Sequence, residues 1–276
     1  MAKNVGVSGI AVLSNEQSMF DLVKKVEQSS LEEPKPFYFI DSCSAITDLV
    51  DSLVDLHANP PSLYIDLEGV NLGRHGSISV LQLLIFPQNR IYLIDVHTLG
   101  SQTFSTAGTN GQTLRMILES NTIPKVFFDV RNDSDALYSH FGICLSGVQD
   151  IQVMEFATRR SKGRFVNGLA KCIDYDLVMT AAEKYTWLSV KEKGKKLFAP
   201  ECGGSYELFN VRPMSKDLSL YCAQDVQYLP RLWSIYNSKL SLSELARVRM
   251  TSDERVRSSH SATYNGHGKH KALGPW

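Results

Sequence analysis

The sequence predicts an α/β protein: a central mixed sheet of five or six strands with helices on both faces. Three observations predict it. Short runs with strand character recur at 37–40, 63–68, 78–86, 91–94, 125–128 and 147–151. Around them, apolar residues step by three and four, which marks amphipathic helices. The chain has 276 residues, 43% hydrophobic and 21% charged, enough to bury a full core in one large domain with extensions.

Taken in order, Ser14 followed by Gln17 resembles a capping box, and Met19, Val23 and Val26 follow at helical spacing. Residues 29–36 are a polar, proline-bearing linker, so 1–36 is read as an N-terminal helix and linker ahead of a domain at 37–240. After the strand at 37–40, Ile46, Leu49, Val50 and Leu53 stripe a helix starting near Ser42 or Ser44, which Asn59-Pro60-Pro61 stops. The strand at 63–68 leads through a glycine-bearing turn into two apolar runs separated by Pro87-Gln88-Asn89-Arg90. That spacing reads as a hairpin and makes three successive antiparallel strands.

Residues 97–111, rich in Gly, Ser and Thr, read as a loop. Leu114, Ile117 and Leu118 mark a helix ending near Asn121. A strand at 125–128, a helix at 133–141 and an edge strand at 147–151 come next, then two or three helices between Gln152 and Leu188. Residues 191–213 read as irregular. From near Ser215, the residues Leu218, Tyr221, Asp225, Leu229, Leu232, Tyr236 and Leu240 define one helical face. Arg247, Arg249, Arg255 and Arg257 mark a basic helical stretch, and 258–276, rich in Ser, Gly and His, reads as a mobile tail.

Twenty-nine basic against 29 acidic residues leave no net charge, which excludes a uniformly basic nucleic-acid-coating protein but not a local basic patch. Two such clusters exist, Arg159/Arg160/Lys162/Arg164 and Lys191/Lys193/Lys195/Lys196, and each reads first as a solvated run. Five cysteines without Cys-x-x-Cys spacing argue against a disulfide framework and for a reducing, intracellular setting, cytoplasmic or nuclear. No apolar run is long enough for a membrane span, and no secretory signal is visible. His267 and His270 lack the further ligands a metal site needs.

The residues that carry chemistry are acids in unfavourable places. On a strand, alternate side chains share a face, so Leu63, Ile65 and Leu67 point into a core while Asp66 and Glu68 point together the other way. Two carboxylates side by side repel unless a cation sits between them. Asp225 interrupts an apolar helical stripe, and an unpaired charge there would cost several kcal/mol, roughly, so it is paired, metal-bound or at a cleft rim. Tyr221, one turn earlier on the same face, reaches the same site. A further acid is expected from Asp129, Asp133 or Asp135, among which spacing alone does not choose. An all-oxygen set suits hard cations such as Mg²⁺ or Mn²⁺, whereas zinc hydrolysis would call on histidines.

The pattern resembles the ribonuclease D-like branch of the DEDD 3′–5′ exonucleases. Tyr64-Ile65-Asp66-Leu67-Glu68 is similar to the first motif of that family. The run from Lys125 to Leu137 is similar to the second, and its alignment places the family aspartate at Asp133. Tyr221-Cys222-Ala223-Gln224-Asp225, preceded by Arg212-Pro213-Met214, is similar to the third. A tyrosine four residues before the last aspartate marks the tyrosine subclass (DEDDy). The longer wording is similar to fungal exonuclease-domain and animal Egalitarian-like proteins. One departure stands out: Phe128 occupies a place where relatives often carry histidine.

The resemblance implies a ribonuclease H-like fold and a two-cation exonuclease acting on the 3′ end of single-stranded RNA or DNA and releasing nucleoside 5′-monophosphates. In that scheme Asp66 touches both cations, about 3.5–4 Å apart, Glu68 and Asp225 hold the first, and Asp133 reaches the second through water. Tyr221 orients the attacking water. The resemblance also places Leu72 as a wedge between terminal bases, against an alternative in which it packs on the core. Arg74, with His75, is offered to phosphate, which arginine suits. The competing expectation is a catalytically silent adapter of the same fold that binds RNA or protein partners.

Overall fold

The alternation in β2 (Leu63–Glu68) decides the architecture, because its two faces are covered by two different cores. In the computed structural model, which describes residues 37–161 and 163–276, Leu63, Ile65 and Leu67 enter one apolar cluster and Tyr64 the other. The expected helix and linker at 1–36 lie outside the described residues.

Six strands form one mixed sheet: β1 (Phe37–Ile40), β2, β3 (Val80–Ile85), β4 (Arg90–Ile94), β5 (Lys125–Phe127) and β6 (Val148–Asp150), in the order β1-β4-β3-β2-β5-β6. Strands β2, β3 and β4 are antiparallel neighbours, whereas β1 on β4, β5 on β2 and β6 on β5 pair in parallel. The register sets Asp66 opposite Gln82 and Glu68 opposite Val80. The expected hairpin and the edge position of β6 are both observed.

The first face is covered by α1 (Cys43–Asp51), α4 (Leu114–Glu119) and α5 (Arg131–Phe141). Ser42, one of the two expected starts, caps α1 by accepting from the Ala45 amide at 3.3 Å. The stretch at 97–111, expected as loop, contains the short helices α2 (Val96–Leu99) and α3 (Gln102–Ser105). Each is a single turn, too short for an apolar period to register, and Asp95 caps the first through the Thr98 amide at 3.1 Å.

The second face is covered by α6 (Ile151–Thr158), α7 (Leu169–Asp176), α8 (Ala181–Phe198), α9 (Lys216–Gln227) and α10 (Leu229–Asn237). Two expectations are corrected here. Residues 191–198 are not irregular but continue α8, whose buried Trp187, Gly194 and Phe198 lie at helical spacing against α9. The face from Leu218 to Leu240 is not one helix. It breaks at Tyr228, because Pro230 in the first turn of α10 has no N–H to give to the preceding turn.

Helix α11 (Leu242–Ser259) is the expected basic stretch, but Arg255 on it is buried and paired. Its Nη1 donates to Asp150 Oδ2 at 2.7 Å, and Asp150 also accepts from the Asp129, Val130 and Gln152 amides at 3.0, 3.2 and 3.0 Å. One buried carboxylate thereby ties β6, the turn after β5, α6 and α11 together. The tail expected to be mobile is docked: the Val166 amide donates to Ala272 O at 2.9 Å, the Gly274 amide to Arg164 O at 2.9 Å, and Trp276 packs edge-on to Phe156 with Arg247 over its ring.

Replacing Asp150 with alanine strands three amides and a buried guanidinium. The expected loss is about 3–5 kcal/mol of folding stability, read from the denaturant midpoint. A loss under 1 kcal/mol, about what an exposed pair contributes, would show that the hub is not needed.

Candidate active site

Asp66 and Glu68 project from the face of β2 that α9 covers, and α9 brings Asp225 down onto them. One oxygen of each of the three carboxylates lies within 4.8 Å of the others. Burial pushes the Asp66 and Glu68 carboxyls well above the usual range, and the neighbouring carboxylates push them further. Asp225 is pushed up to about 7 by burial, against the pull of a Tyr221 hydroxyl hydrogen bond and the nearby Lys191 ammonium.

The structure distinguishes the three candidate aspartates after β5. Asp129 is held by Arg131, with Nε–Oδ1 at 2.5 Å, and by Arg255 at 3.6 Å. Asp135 is held by Arg74, which donates from Nε and from its backbone amide at 2.8 Å each. Asp133, in the first turn of α5, is buried and has no ion pair within 4 Å among the described residues. Its charge bears on both Asp66 and Glu68, although it stands outside their close group. Burial raises its own carboxyl to about 8, Asp129 adds to this, and Lys271 works the other way. The turn that aims Asp133 is fixed one step back, where Asp129 takes a left-handed φ of 60° and its amide is held by Asp150.

Tyr221 sits with its ring on Phe198 of α8, centroids 4.9 Å apart, and directly against Gly194. A Cβ on Gly194 would lie 2.5–2.6 Å from the Tyr221 ring and Cβ, so only glycine allows the two helices to meet there. Sequence reading assigned the 191–196 run to solvent. The spacing Trp187, Lys191, Gly194, Phe198, in steps of four, three and four, was the signal for a helix facing the site. Gln82, opposite Asp66, is another residue that reading missed: it is fully buried, with the Cys222 thiol beside its amide.

Two residues expected to meet substrate make contacts within the protein. Arg74 was offered to phosphate, but its donors go to Asp135, to Ser259 O at 2.7 Å and to Ala262 O at 3.3 Å, and it stacks on Tyr264. Leu72 is half-buried against the first core, which is the packing alternative to the wedge. His75 is exposed in the turn, and Phe128 packs partly against the second core. Of the first basic cluster, Arg159 is engaged with Glu155 and Phe165 O. His270 binds the Asn265 carbonyl at 3.1 Å.

Residues 39–241 match the family described as 3′-5′ exonuclease. This chain belongs to that family. Human piRNA biogenesis protein EXD1 is 34% identical over 170 residues, covering 60% of this chain and 30% of that protein. The Xenopus laevis protein of the same name is 32% identical over 181 residues, 64% of this chain and 37% of that one. The chain spans between 29% and 46% of the length of these curated relatives. Among solved structures, Trypanosoma brucei RNase D in complex with RNA U12 superposes with a TM-score of 0.67 at 19% identity, covering 86% of this chain and 76% of that one. Escherichia coli RNase D gives 0.53 at 18% identity, with 80% and 51% covered. At these identities the likeness is one of fold, and it makes the exonuclease domain ribonuclease H-like, as expected.

Whether a divalent cation fits is a question for the donors. All are carboxylate oxygens, which suits a hard cation, and the buried acids repel one another without one. All five cysteines are free, and among the described residues no helix is long and apolar enough to cross a membrane.

With chelator present, the acids make stability fall as pH rises. Asp133 and Asp225 hold protons up to about 8 and about 7 in the fold, whereas in the unfolded chain they release them near 4. The contribution is therefore fully present below pH about 4 and lost through about 7–8. The expected melting temperature in EDTA drops by several degrees, roughly, between pH 5 and 8, and drops less in Asp225→Asn. Gly194→Ala should cost about 1–3 kcal/mol by overpacking Tyr221, read by chemical denaturation; a neutral result would deny the tight contact.

Proposed function

We propose that this exonuclease-family chain is a metal-dependent 3′–5′ exonuclease of the tyrosine subclass, taking nucleoside 5′-monophosphates from the 3′ end of single-stranded nucleic acid inside the cell. One observation carries the proposal: the half-buried Asp66, Glu68 and Asp225 converge with the buried Asp133 close by, while the other nearby aspartates are each locked to an arginine.

Asp66, Glu68 and Asp225 would hold a first Mg²⁺ or Mn²⁺, and Asp66 with Asp133 would serve a second. When bound, such cations supply charge stabilisation for phosphoryl transfer and activate water. The protein's own part is positioning. Strand β2 fixes two acids at a spacing set by the pleat, α9 sets the third, and the Asp150 hub sets the turn carrying the fourth. Partial burial under α9 strengthens each electrostatic contact. The Tyr221 hydroxyl, close to Asp225 and with its ring on Phe198, would orient a water against the scissile phosphate. The piRNA role named for the EXD1 relatives favours RNA as the strand, and it also supports the second reading, an RNA- or protein-binding adapter without turnover.

Incubated with Mn²⁺ or Mg²⁺ and a labelled single strand, the protein should shorten RNA one nucleotide at a time from the 3′ end. Asp66→Ala or Asp225→Ala should lower the rate by about 10²-fold or more, with Tyr221→Phe between these and wild type. Retained binding with no shortening of any RNA or DNA, in either metal, would favour the adapter.

A further inference from the structure

Helix α8 carries two adjoining rows of side chains. The inner row, Trp187, Lys191, Gly194 and Phe198, faces α9: Gly194 lies against the Tyr221 ring, and Gln224 Nε2 donates to the Trp187 carbonyl at 3.1 Å. The next row is Lys184, Leu188, Lys191 and Lys195, again in steps of four, three and four. Lys191 belongs to both. The outer row therefore touches the border of the acid site, and it spans about 16 Å along the helix at about 1.5 Å per residue.

The composition of this face points to a ligand. Five lysines against two acids lie on α8, and one of the acids, Glu183, is already paired with Arg231. Lys184 pairs with Asp174 at 2.6 Å, whereas neither Lys191 nor Lys195 makes an ion pair among the described residues. Lys191 Nζ stands 5.3 Å from the Trp187 ring centre. A lysine run that meets only water has no use for apolar side chains among its charges. Here Tyr185, 69% exposed, and Leu188, 40% exposed, are set between them. Ammonium groups for phosphates beside an open aromatic face for a base make a platform for a single strand.

We propose that this row of α8 is a track for the strand outside the acid site: nucleotides behind the 3′ end lie along it, with phosphates on Lys191 and Lys195 and a base on Tyr185. The inference rests on the reading of the site as one for a single-stranded 3′ end, and it holds whether the strand is cut or only held. Continuity supports it, because Gly194 seats α8 directly on Tyr221.

The test is binding of a dye-labelled single strand of about 12 nucleotides to the full-length protein, in chelator so that nothing is cut, read by fluorescence anisotropy across a salt series. Lys191→Met with Lys195→Met should weaken binding roughly tenfold or more at low salt. It should also lower the slope of log affinity on log salt by about 1.4, from two phosphate contacts at about 0.7 each. Lys193→Met with Lys196→Met removes the same charge from the same helix off the row, and should have less than half of either effect. Tyr185→Ala should weaken binding about fivefold or more with the slope unchanged, since stacking releases no counterions. Lys191→Arg with Lys195→Arg keeps the charge and should bind as wild type does.

Equal losses in the two double methionine variants would assign binding to the general field of the protein and overturn the track. So would unchanged binding in Lys191→Met with Lys195→Met or in Tyr185→Ala. If the track falls in this way but the protein still shortens a strand with Mn²⁺, the exonuclease reading survives. A wild-type protein that neither binds nor shortens any strand would end both.

Discussion

Three carboxylates drawn together between β2 and α9, with a fourth on α5 close enough to repel them, are the constraint to which this structure answers. Desolvation and mutual repulsion both oppose ionisation of Asp66, Glu68, Asp133 and Asp225. Such a cluster survives only where the surrounding fold overrides its cost. Here the override comes from two separate apolar cores on the two faces of a single sheet, with β2 at the junction.

The same chain shows what a structural acid looks like. Asp95 is locked by Arg212, Asp135 by Arg74, Asp129 by Arg131, and Asp150 by Arg255. These pairs fasten the turns and helices that frame the site, and each leaves its carboxylate charge spent. Arginine suits the task because its planar fork matches a carboxylate and it stays charged when half-buried. The presence or absence of a guanidinium thus sorts the aspartates into fasteners and candidates for catalysis, a distinction that type and spacing alone do not make.

Much of the fold was legible because it rests on local periodicity. The alternation in Leu63–Glu68 gave both the core face and the acid pair, and the stripe through Leu218, Tyr221 and Asp225 gave the third acid and its tyrosine. Failures followed where structure depends on a distant partner. Helix α8 looked like solvated charge, since only α9 makes sense of Gly194. The tail looked mobile because what holds it lies around Asn132, Phe156 and Arg164, more than a hundred residues away. That Arg74 pairs with Asp135 and the Ser259 carbonyl was not legible either, since both lie far along the chain. The break at Pro230 was legible and was overlooked in favour of an unbroken stripe.

Where α8 crosses α9, backbone meets aromatic ring with no side chain between them. A hydrogen atom is the thinnest spacer chemistry offers, so the phenol cannot sink any deeper toward that helix, and Phe198 blocks sideways escape. The height at which the hydroxyl stands over the acids is in this way gauged by a neighbouring segment rather than by the helix that bears it. Lysine-rich on its outer side and bare at this one inner point, α8 acts as a depth stop for the phenol.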